Sequence, residues 1–283
     1  MSNIKLVAFD LDGTTVPMYG LTPSESFCDC ITEGSKRGII FAPFTGRTMT
    51  TIPERIMQLT DIRYISYANG AGIFDNKLKS YIYQNLMPVE VCMEMLKYLA
   101  RYDLPIQVFS NGVLVMEQRI YDDPIRYSLL PHHKKSVESG TAILVPSMEQ
   151  FLLEKHPNVD KINIVKVIGE DRAAIISDLA QNDKIYVVSS GGTNLEINSI
   201  GTTKGNALVF LAKHLGINLE AVMAIGDNDN DIAMLEAAGL GVAVENASQA
   251  AKKAADFITE SQENDGAVTA IKRFVLDNCA VEL

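Results

Sequence analysis

Polar residues cluster directly after three predicted strands of this chain. The clusters are Asp10-x-Asp12-Gly13-Thr14, Thr45-Gly46-Arg47 and Gly226-Asp227-Asn228-Asp229-Asn230-Asp231. Because an open parallel sheet binds its ligands beyond the carboxyl ends of its strands, we expect these clusters to meet in one crevice. Lys204-Gly205 opens a predicted helix, whose N-terminus adds a favourable field for an anion.

Each cluster by itself has a simpler, structural interpretation. D-x-D-G is most often a turn, in which Asp tolerates local hydrogen bonds and Gly supplies a positive φ. The acidic run 227–231 resembles the beginning of a calcium loop. That loop needs Gly at its sixth position and an acid at its twelfth, where this chain has Ile232 and Ala238. The order and placement of the clusters therefore carry the functional signal.

Length and charge narrow the class of protein. A chain of 283 residues favours about two domains with a sizeable core. The net charge of −10 argues against a nucleic-acid partner, because binding to a polyanion needs clustered Lys and Arg. The apolar run Leu6–Phe9 is too short for a signal-peptide core, and no stretch reaches the ~18 apolar residues of a membrane span. We expect a cytoplasmic monomer or homodimer without a membrane partner.

The cysteines and histidines show no pattern of a second site. Cysteines at 28, 30, 92 and 279 do not form a disulfide framework in a chain of this length. Cys28 and Cys30 fall inside a predicted helix, where residues two apart do not face each other, so we interpret them as structural. The four histidines have no metal-ligand spacing; they are His132, His133, His156 and His214.

Strand and helix patterns alternate in the first part of the chain. The predicted strands are Leu6–Phe9, 39–44 and Tyr64–Tyr67. Thr22-Pro23-Ser24-Glu25 has the form of a capping box with Thr22 as the N-cap, and it opens a helix that should end at Gly38. A second helix is predicted over 50–59. This alternation predicts a parallel sheet covered by helices.

The middle of the chain mixes helices with antiparallel strands. Ile106–Ser110 and Val113–Glu117 flank Asn111-Gly112 as a hairpin, and Ser147-x-x-Gln150 opens a helix. After residue 191 the α/β pattern returns. The predicted strands are 195–197, 221–225 and 240–244, and the predicted helices are Lys204–Leu215, 231–238 and 265–276.

These patterns predict an α/β fold with a Rossmann-like parallel-sheet core. The core is predicted to comprise residues 1–84 and 190–283, and an α+β domain over 85–189 is inserted between them. We expect the inserted domain to close over the site as a lid and to set substrate specificity.

The motifs in this order resemble the haloacid dehalogenase (HAD) superfamily of phosphohydrolases, and within it the Cof-like group with a type-two cap of subclass B. They read FDLDGT at 9–14, FTGR at 44–47, TTKGNAL at 202–208 and GDNDNDIAML at 226–235, and YANGA at 67–71 agrees with them. The resemblance covers nearly the whole chain. One departure is Thr15, where the family usually has a hydrophobic residue.

The resemblance implies a magnesium-dependent phosphatase and a role for each motif residue. Asp10 is the nucleophile, Asp12 the general acid and base. Asp10 and Asp227 bind Mg²⁺ through their carboxylates and Asp12 through its backbone carbonyl. The phosphoryl oxygens are held by Thr45, the backbone at Gly46, Lys204 and Asn230. Asp231 orients Lys204 or a metal-bound water, while Arg47 stays a structural or salt-bridging residue.

General chemistry agrees with these roles. A phosphate ester repels an anionic nucleophile by about 4 kcal/mol for unit charges ~4 Å apart at an effective dielectric of ~20. A divalent cation and a lysine offset this repulsion and stabilise the charge of an in-line transition state. The two carboxylates need opposite protonation states, with Asp10 ionised and Asp12 protonated so that it can donate to the leaving oxygen.

The expected activity is hydrolysis of small phosphorylated metabolites, sugar phosphates foremost, through an aspartyl-phosphate on Asp10. A phosphomutase on the same core would return the phosphoryl group to its substrate instead of to water. A sensor that binds a phosphorylated ligand without turnover is the alternative from another class, although the retention of every reacting residue weighs against it.

Overall fold

A computed structural model of the chain describes residues 4–18, 20, 22–190 and 192–277. Its strands, in chain order, are β1 Leu6–Phe9, β2 Ile40–Pro43, β3 Tyr64–Tyr67, β4 Gly72–Asp75, β5 Ser80–Gln84, β6 Ile106–Ser110, β7 Val113–Glu117, β8 Ala142–Val145, β9 Val159–Ile164, β10 Ile185–Val188, β11 Leu195–Ser199, β12 Val222–Gly226, β13 Leu240–Ala243 and β14 Phe257–Ile258.

The α-helices lie between these strands. They are α1 Glu25–Lys36, α2 Glu54–Gln58, α3 Val89–Leu99, α4 Gln118–Asp122, α5 Pro131–Glu138, α6 Met148–Lys155, α7 Gly169–Leu179, α8 Lys204–Leu215, α9 Ile232–Ala237, α10 Gln249–Ala254 and α11 Gly266–Ile271. Over the residues described, no helix is long and apolar enough to cross a membrane.

By its contacts the chain divides into two compact units. The first unit consists of Met1–Arg47, Ile52–Gln84 and Thr203–Leu283, and the second of Thr48–Thr51 and Asn85–Thr202. The second unit is thus an insertion in the sequence of the first, together with one short segment from further upstream.

The first unit is built on a parallel sheet with the strand order β14-β13-β12-β1-β2. Leu6 of β1 pairs with Val222 of β12 on one side and with Ile40 of β2 on the other. All four residues of β1 are fully buried, which explains its uninterrupted apolar sequence, because helices cover both faces of such a sheet. The predicted fold class, an α/β parallel-sheet core with an inserted α+β unit, is confirmed.

The strand Tyr64–Tyr67 has the predicted bounds but belongs to an antiparallel sheet of order β3-β4-β5. Ala68, Asn69 and Gly70 all have positive φ, at 46°, 61° and 94°. This turn sends the chain back along β3, which a short Asn-Gly pair after a strand favours. At Gly70 a Cβ would lie 2.4 Å from the backbone oxygen of Thr203, so the turn also packs against the start of α8.

The second unit contains a sheet of order β10-β11-β9-β6-β7-β8. Helices α3, α6 and α7 bury their apolar residues against one side of it, in a cluster that includes Leu99, Leu152, Ile162, Ile175 and Ile197. The hairpin β6–β7 has the predicted bounds. The predicted cap of α6 is present, since Ser147 Oγ accepts a hydrogen bond from the backbone N–H of Gln150.

Two helices predicted from local sequence signals have boundaries that differ from those in the structure. Helix α1 is capped by Ser24, whose Oγ accepts from the N–H of Phe27 at 3.2 Å, and not by Thr22. The helix predicted over 50–59 is a short 3₁₀ turn followed by α2, because Pro53 cannot donate a helical hydrogen bond. Both differences come from competition between neighbouring capping and breaking residues.

The domain division into 1–84, 85–189 and 190–283 stays a prediction, and we propose one amendment to it. Strand β11 pairs with β9 and β10, whereas the sequence assigned 195–197 to the core. We propose that the second core segment begins at Thr203, where the contacts of the first unit resume. A short apolar strand carries no local mark of the sheet that it joins.

The three described cysteines, Cys28, Cys30 and Cys92, are free and buried. Burial raises the pKa of Cys30 to about 11 and that of Cys92 to about 12, so both thiols are protonated and unreactive at neutral pH. Cys279 lies outside the described residues.

Gly205 provides the first testable prediction, because α8 and α9 approach each other at this residue. A Cβ at position 205 would lie 2.3 Å from the carbonyl oxygen of Ala233. In an open helix Gly→Ala stabilises by roughly 1 kcal/mol; here we expect Gly205→Ala to lower the free energy of unfolding by about 1–3 kcal/mol through the clash. Urea denaturation measures this, with Lys213→Ala at an exposed position of α8 as the control. An unchanged or increased free energy of unfolding would contradict the close approach.

Candidate active site

Asp10 and Asp227 follow neighbouring parallel strands. Phe9 at the end of β1 pairs with Ile225 of β12, and the N–H of Asp10 donates to the carbonyl of Ile225 at 2.9 Å. The two carboxylates therefore leave the same edge of the sheet. With the carboxylate of Asp231 they form a buried group in which one oxygen from each residue lies within 4.8 Å of the others.

Lys204 joins this group as a buried cation. Its side chain has no exposed surface, and its Nζ donates to Asp10 Oδ1 at 2.7 Å and to Asp231 Oδ1 at 2.5 Å. The ammonium is placed by the beginning of α8, where Thr203 caps the helix by accepting the N–H of Asn206 at 3.0 Å. A buried lysine of this kind is retained because its partners compensate the charge.

Asp231 is bound through both of its carboxylate oxygens. Oδ1 accepts from Lys204, and Oδ2 accepts the backbone N–H groups of Asp227 and Asn228, each at 2.9 Å. These bonds fix the loop after β12. They leave Asp231 better suited to orient its neighbours than to bind a ligand directly.

The hydroxyl groups after β1 donate to the carboxylate of Asp227 and to the backbone of Asp10. Thr14 Oγ1 donates to Asp227 Oδ1 at 2.6 Å, and Thr15 Oγ1 donates to the backbone oxygen of Asp10 at 2.8 Å. The hydroxyl of Thr15 therefore holds the backbone of Asp10, at the position where the sequence departs from the motif that it otherwise resembles.

Burial and mutual repulsion control the protonation of the carboxylates. Burial raises the pKa of Asp10 well above its ordinary range; Lys204 opposes this, whereas the carboxylates of Asp231, Asp227 and Asp12 add to it. Burial, followed by the charge of Asp231, raises the pKa of Asp227 to about 7, against the effect of Thr14 and Lys204. Although burial lowers it, the carboxylates of Asp10 and Asp231 raise the pKa of Lys204 overall.

A divalent cation fits this donor set. Three carboxylates face one ammonium, so the group carries excess negative charge when all are ionised. Hard divalent cations prefer such carboxylate oxygens, and a bound cation would offset the burial and the repulsion that raise the pKa of Asp10 and of Asp227.

Asp12 is held by Arg47. The guanidinium donates from Nε to Asp12 Oδ2 and from Nη2 to Asp12 Oδ1, both at 2.7 Å, and Nη2 also donates to the carbonyl of Gly20 at 2.6 Å. Such a bidentate pair fixes the plane of the carboxylate as well as its distance. The sequence left Arg47 as structural or salt-bridging and did not identify Asp12 as its partner.

The loop after β2 carries Thr45, Gly46 and Arg47. Thr45 is fully buried; its N–H donates to Ser66 at 3.0 Å, and its Oγ1 accepts the N–H of Arg47 at 3.0 Å. The carbonyl of Thr45 in turn accepts the N–H of Asn69 at 3.0 Å. The turn after β3 thus supports the loop after β2.

Asn230 connects to the same turn. Its Nδ2 donates to Asn69 Oδ1 at 3.1 Å, whereas its own Oδ1 is buried without a hydrogen-bond partner. Asn69 is a site residue that the sequence analysis missed. The motif YANGA, which contains Asn69, was counted among the features that agree with the family, but no role in the site was assigned to Asn69.

The structure therefore brings Asp10, Lys204, Asp227 and Asp231 into one hydrogen-bonded group. Asp12 and Thr45 bond to Arg47, and Asn230 bonds to Asn69. All of these residues lie in the first unit. Asp12 is also close enough for its charge to raise the pKa of both Asp10 and Asp227.

Known proteins match this chain over nearly its whole length. The sequence pattern of the haloacid dehalogenase-like hydrolases matches residues 7–271. The 5-amino-6-(5-phospho-D-ribitylamino)uracil phosphatase YcsE of Bacillus subtilis is 30% identical over 278 residues, which cover 97% of each chain. A haloacid dehalogenase-like hydrolase from Bacteroides thetaiotaomicron is 28% identical with a TM-score of 0.77, covering 96% of this chain and 99% of that one.

The subclass IIB sugar phosphatase BT4131 has the same fold, with a TM-score of 0.77 at 23% identity over 95% of this chain and 98% of its own. The chain therefore belongs to the haloacid dehalogenase-like hydrolase family, and it is a phosphatase. The family and cap type indicated by the motifs are confirmed.

Asp227 provides a prediction about pH. The pKa of Asp227 is about 7 in the folded protein, against an ordinary value of 3.8. The protonated carboxyl therefore favours the folded state, and this contribution is complete below about pH 4 and is lost as the pH rises through 7. In EDTA, Asp227→Asn should therefore be more stable than the wild type at pH 8 by on the order of 2 kcal/mol, with a smaller difference at pH 5.

Urea denaturation at the two pH values measures this difference. Asp61→Asn, at an exposed position of the first unit, is the control and should show no such dependence. If Asp227→Asn were instead less stable than the wild type at pH 8, the prediction would be wrong, and the carboxylate would be favourably paired in the metal-free protein.

Proposed function

We propose that this haloacid dehalogenase-like hydrolase is a magnesium-dependent phosphatase of small phosphorylated metabolites, sugar phosphates foremost, and that it acts through an aspartyl-phosphate on Asp10. The observation that carries the proposal is the buried group in which Lys204 pairs with Asp10 and Asp231 beside Asp227. Burying these charges lowers the stability of the folded protein. The same charges suit the transfer of a phosphoryl group to a carboxylate.

Asp10 and Asp227 would hold the Mg²⁺ through their carboxylates, and Asp12 would hold it through its backbone carbonyl. When bound, the ion offsets the charge of the phosphate ester and of the attacking carboxylate. Few protein carboxylates, with the remaining positions left to water and substrate oxygen, are typical of Mg²⁺ sites.

In the first step a carboxylate oxygen of Asp10 forms a bond to phosphorus, and the bond from phosphorus to the ester oxygen breaks. The leaving oxygen takes a proton from Asp12 and departs as an alcohol. Lys204 lies 2.7 Å from Asp10, which supports a role in fixing the nucleophile and in neutralising charge as the phosphoryl group transfers.

In the second step water attacks the phosphorus of the aspartyl-phosphate. Asp12, now ionised, takes a proton from this water, and the bond from phosphorus to Asp10 breaks. Inorganic phosphate leaves, and both aspartates return to their first states. One residue thus acts as acid and then as base.

Four groups are proposed to hold the phosphoryl oxygens: Thr45, the backbone at Gly46, Lys204 and Asn230. Asp231 would orient Lys204, in keeping with their 2.5 Å contact. The Nδ2 of Asn230 has two protons; one donates to Asn69 Oδ1, and the other is proposed to donate to a phosphoryl oxygen.

The substrate is proposed to carry its phosphate on a polyhydroxylated carbon chain. The relative from Bacillus subtilis is named for a phosphoribityl compound, and a protein of the same fold is named a sugar phosphatase. Specificity is proposed to reside in the inserted unit, since the residues argued for the phosphate lie in the first unit and recognise no other part of a substrate.

The protein is proposed to work in the cytoplasm as a monomer or homodimer, without a nucleic-acid or membrane partner. The free thiols of Cys28, Cys30 and Cys92 suit a reducing compartment.

A phosphate-release assay over sugar, sugar-alcohol and nucleotide phosphates tests the proposal. We expect release by the wild type with Mg²⁺, with at least a ~10³-fold loss in EDTA or in Asp10→Asn. Asp61→Asn is the matched control and should keep full activity. Equal and negligible release by the wild type and Asp10→Asn across the whole panel would favour a sensor instead, and release that requires a bisphosphate primer would favour a phosphomutase.

Asp12→Asn tests the acid role. An amide cannot protonate the leaving oxygen, so the rate should fall about 10²–10⁴-fold for a sugar phosphate. The aryloxide of an aryl phosphate leaves without a proton. The rate at which this substrate phosphorylates Asp10 should therefore be affected much less. Single-turnover kinetics separate this step from hydrolysis of the intermediate. Equal rates of the variant and the wild type on both substrates would remove Asp12 from the mechanism.

A further inference from the structure

The parallel ladder between β1 and β12 stops at Asp10. Phe9 and Ile225 are paired residues of this ladder, and the N–H of Asp10 donates to the carbonyl of Ile225 at 2.9 Å. If the ladder continued, the carbonyl of Asp10 would accept the N–H of Asp227. That N–H donates instead to Asp231 Oδ2 at 2.9 Å. The carbonyl of Asp10 therefore needs a donor from outside the sheet.

Thr15 supplies this donor through its side chain. Its Oγ1 donates to the carbonyl of Asp10 at 2.8 Å. Both residues are buried, Thr15 with 6% and Asp10 with 5% of its surface exposed. Because a buried carbonyl without a partner is unfavourable, the hydroxyl takes the place of the ladder bond that Asp227 does not make.

The turn after β1 fixes the position of this hydroxyl. The carbonyl of Leu11 accepts three backbone N–H groups, those of Thr14 at 3.2 Å and of Thr15 and Val16 at 2.9 Å each. The N–H of Gly13 donates to the carbonyl of Val16 at 2.8 Å. These bonds close the turn on itself, so the backbone of Thr15 is held next to the end of β1.

The backbone of Asp10 is thus bound on both sides. Its N–H donates to β12, and its carbonyl accepts from Thr15. Together the two bonds fix the direction in which the Cα–Cβ bond leaves the backbone. They thereby fix the place of the carboxylate, whose Oδ1 lies 2.7 Å from Lys204 Nζ. All of these groups belong to the first unit.

We propose that Thr15 is a positioning residue for Asp10. Its hydroxyl acts on the backbone of Asp10 and has no role in holding the phosphate. The proposal rests on the proposed function, in which a carboxylate oxygen of Asp10 attacks phosphorus. Such an attack requires the oxygen to lie in line with the bond that breaks, and a small misplacement of a reacting group can lower the rate by up to ~10²-fold.

Loss of the Thr15 hydroxyl should slow the phosphorylation of Asp10 whatever the leaving group. A sugar phosphate and an aryl phosphate undergo the same attack by Asp10, so the fold-loss should be similar for the two. The groups that are proposed to hold the phosphoryl oxygens do not include Thr15, so KM should change little. This pattern differs from that expected for Asp12→Asn, whose effect depends on the leaving group.

The test is Thr15→Val, which removes the hydroxyl donor and nearly keeps the shape of the side chain. With Mg²⁺, we expect the single-turnover rate of phosphorylation to fall about 10-fold or more on each substrate, and KM to stay within ~2-fold of the wild-type value. Thr15→Ser keeps the hydroxyl and should restore both rates to within ~3-fold of the wild type.

A matched control separates positioning from a general loss of stability. Ile271→Val shortens a fully buried side chain of α11, which should lower the melting temperature and leave both phosphorylation rates at their wild-type values. All rates are measured well below the melting temperature of every variant. If Ile271→Val lost as much activity as Thr15→Val, the loss would follow from reduced stability and the positioning role would be wrong.

The outcomes separate this inference from the proposed function. If the wild type releases phosphate and requires Asp10, but Thr15→Val keeps the wild-type rates or changes only KM, the positioning role is wrong and the phosphatase stands. The same holds if Thr15→Ser loses as much activity as Thr15→Val, because the hydroxyl would then be irrelevant. If the wild type and Asp10→Asn are equally inactive on both substrates, the proposed function fails and the positioning role fails with it.

Discussion

The buried ammonium of Lys204 is the interaction on which the site depends. It has no exposed surface and lies between the carboxylates of Asp10 and Asp231. A buried ion that loses its partner costs about 3–5 kcal/mol, so the strand end that carries Asp10, the start of α8 and the loop after β12 must keep their relative positions. Gly205 permits this, because α8 meets the backbone of α9 where a side chain would not fit. The close approach of the two helices thus serves the ion pairs as well as apolar packing.

The same group of charges opposes stability while it favours chemistry. One ammonium faces three carboxylates, and burial with mutual repulsion raises the pKa of Asp10 and of Asp227. A sequence selected for stability alone would replace one carboxylate by a neutral side chain. The unfavourable charge is instead available to a divalent cation, which gains affinity from the repulsion that it relieves.

The two aspartates of one short motif, Asp10 and Asp12, have different neighbours. Asp10 is governed by buried ions, whereas Asp12 is held by a guanidinium whose side chain is 14% exposed and which is anchored at Gly20. These environments differ in kind, because Asp10 lies in a buried group with excess negative charge, whereas both oxygens of Asp12 accept from one guanidinium. One carboxylate remains at the sheet edge and the other is drawn to the loop after β2.

Local patterns in the sequence were sufficient for the core elements and for the motif residues. The run Leu6–Phe9 and the helix Lys204–Leu215 follow from apolar periodicity, and the order of the motifs identified the family. The pairing of strand β11, the bond of Arg47 to Asp12 across 35 positions and the attachment of Thr48–Thr51 to the second unit appeared only in three dimensions. Periodicity reports which face of an element is buried and not against what, and a long side chain or a strand edge meets its partner only after distant segments have packed.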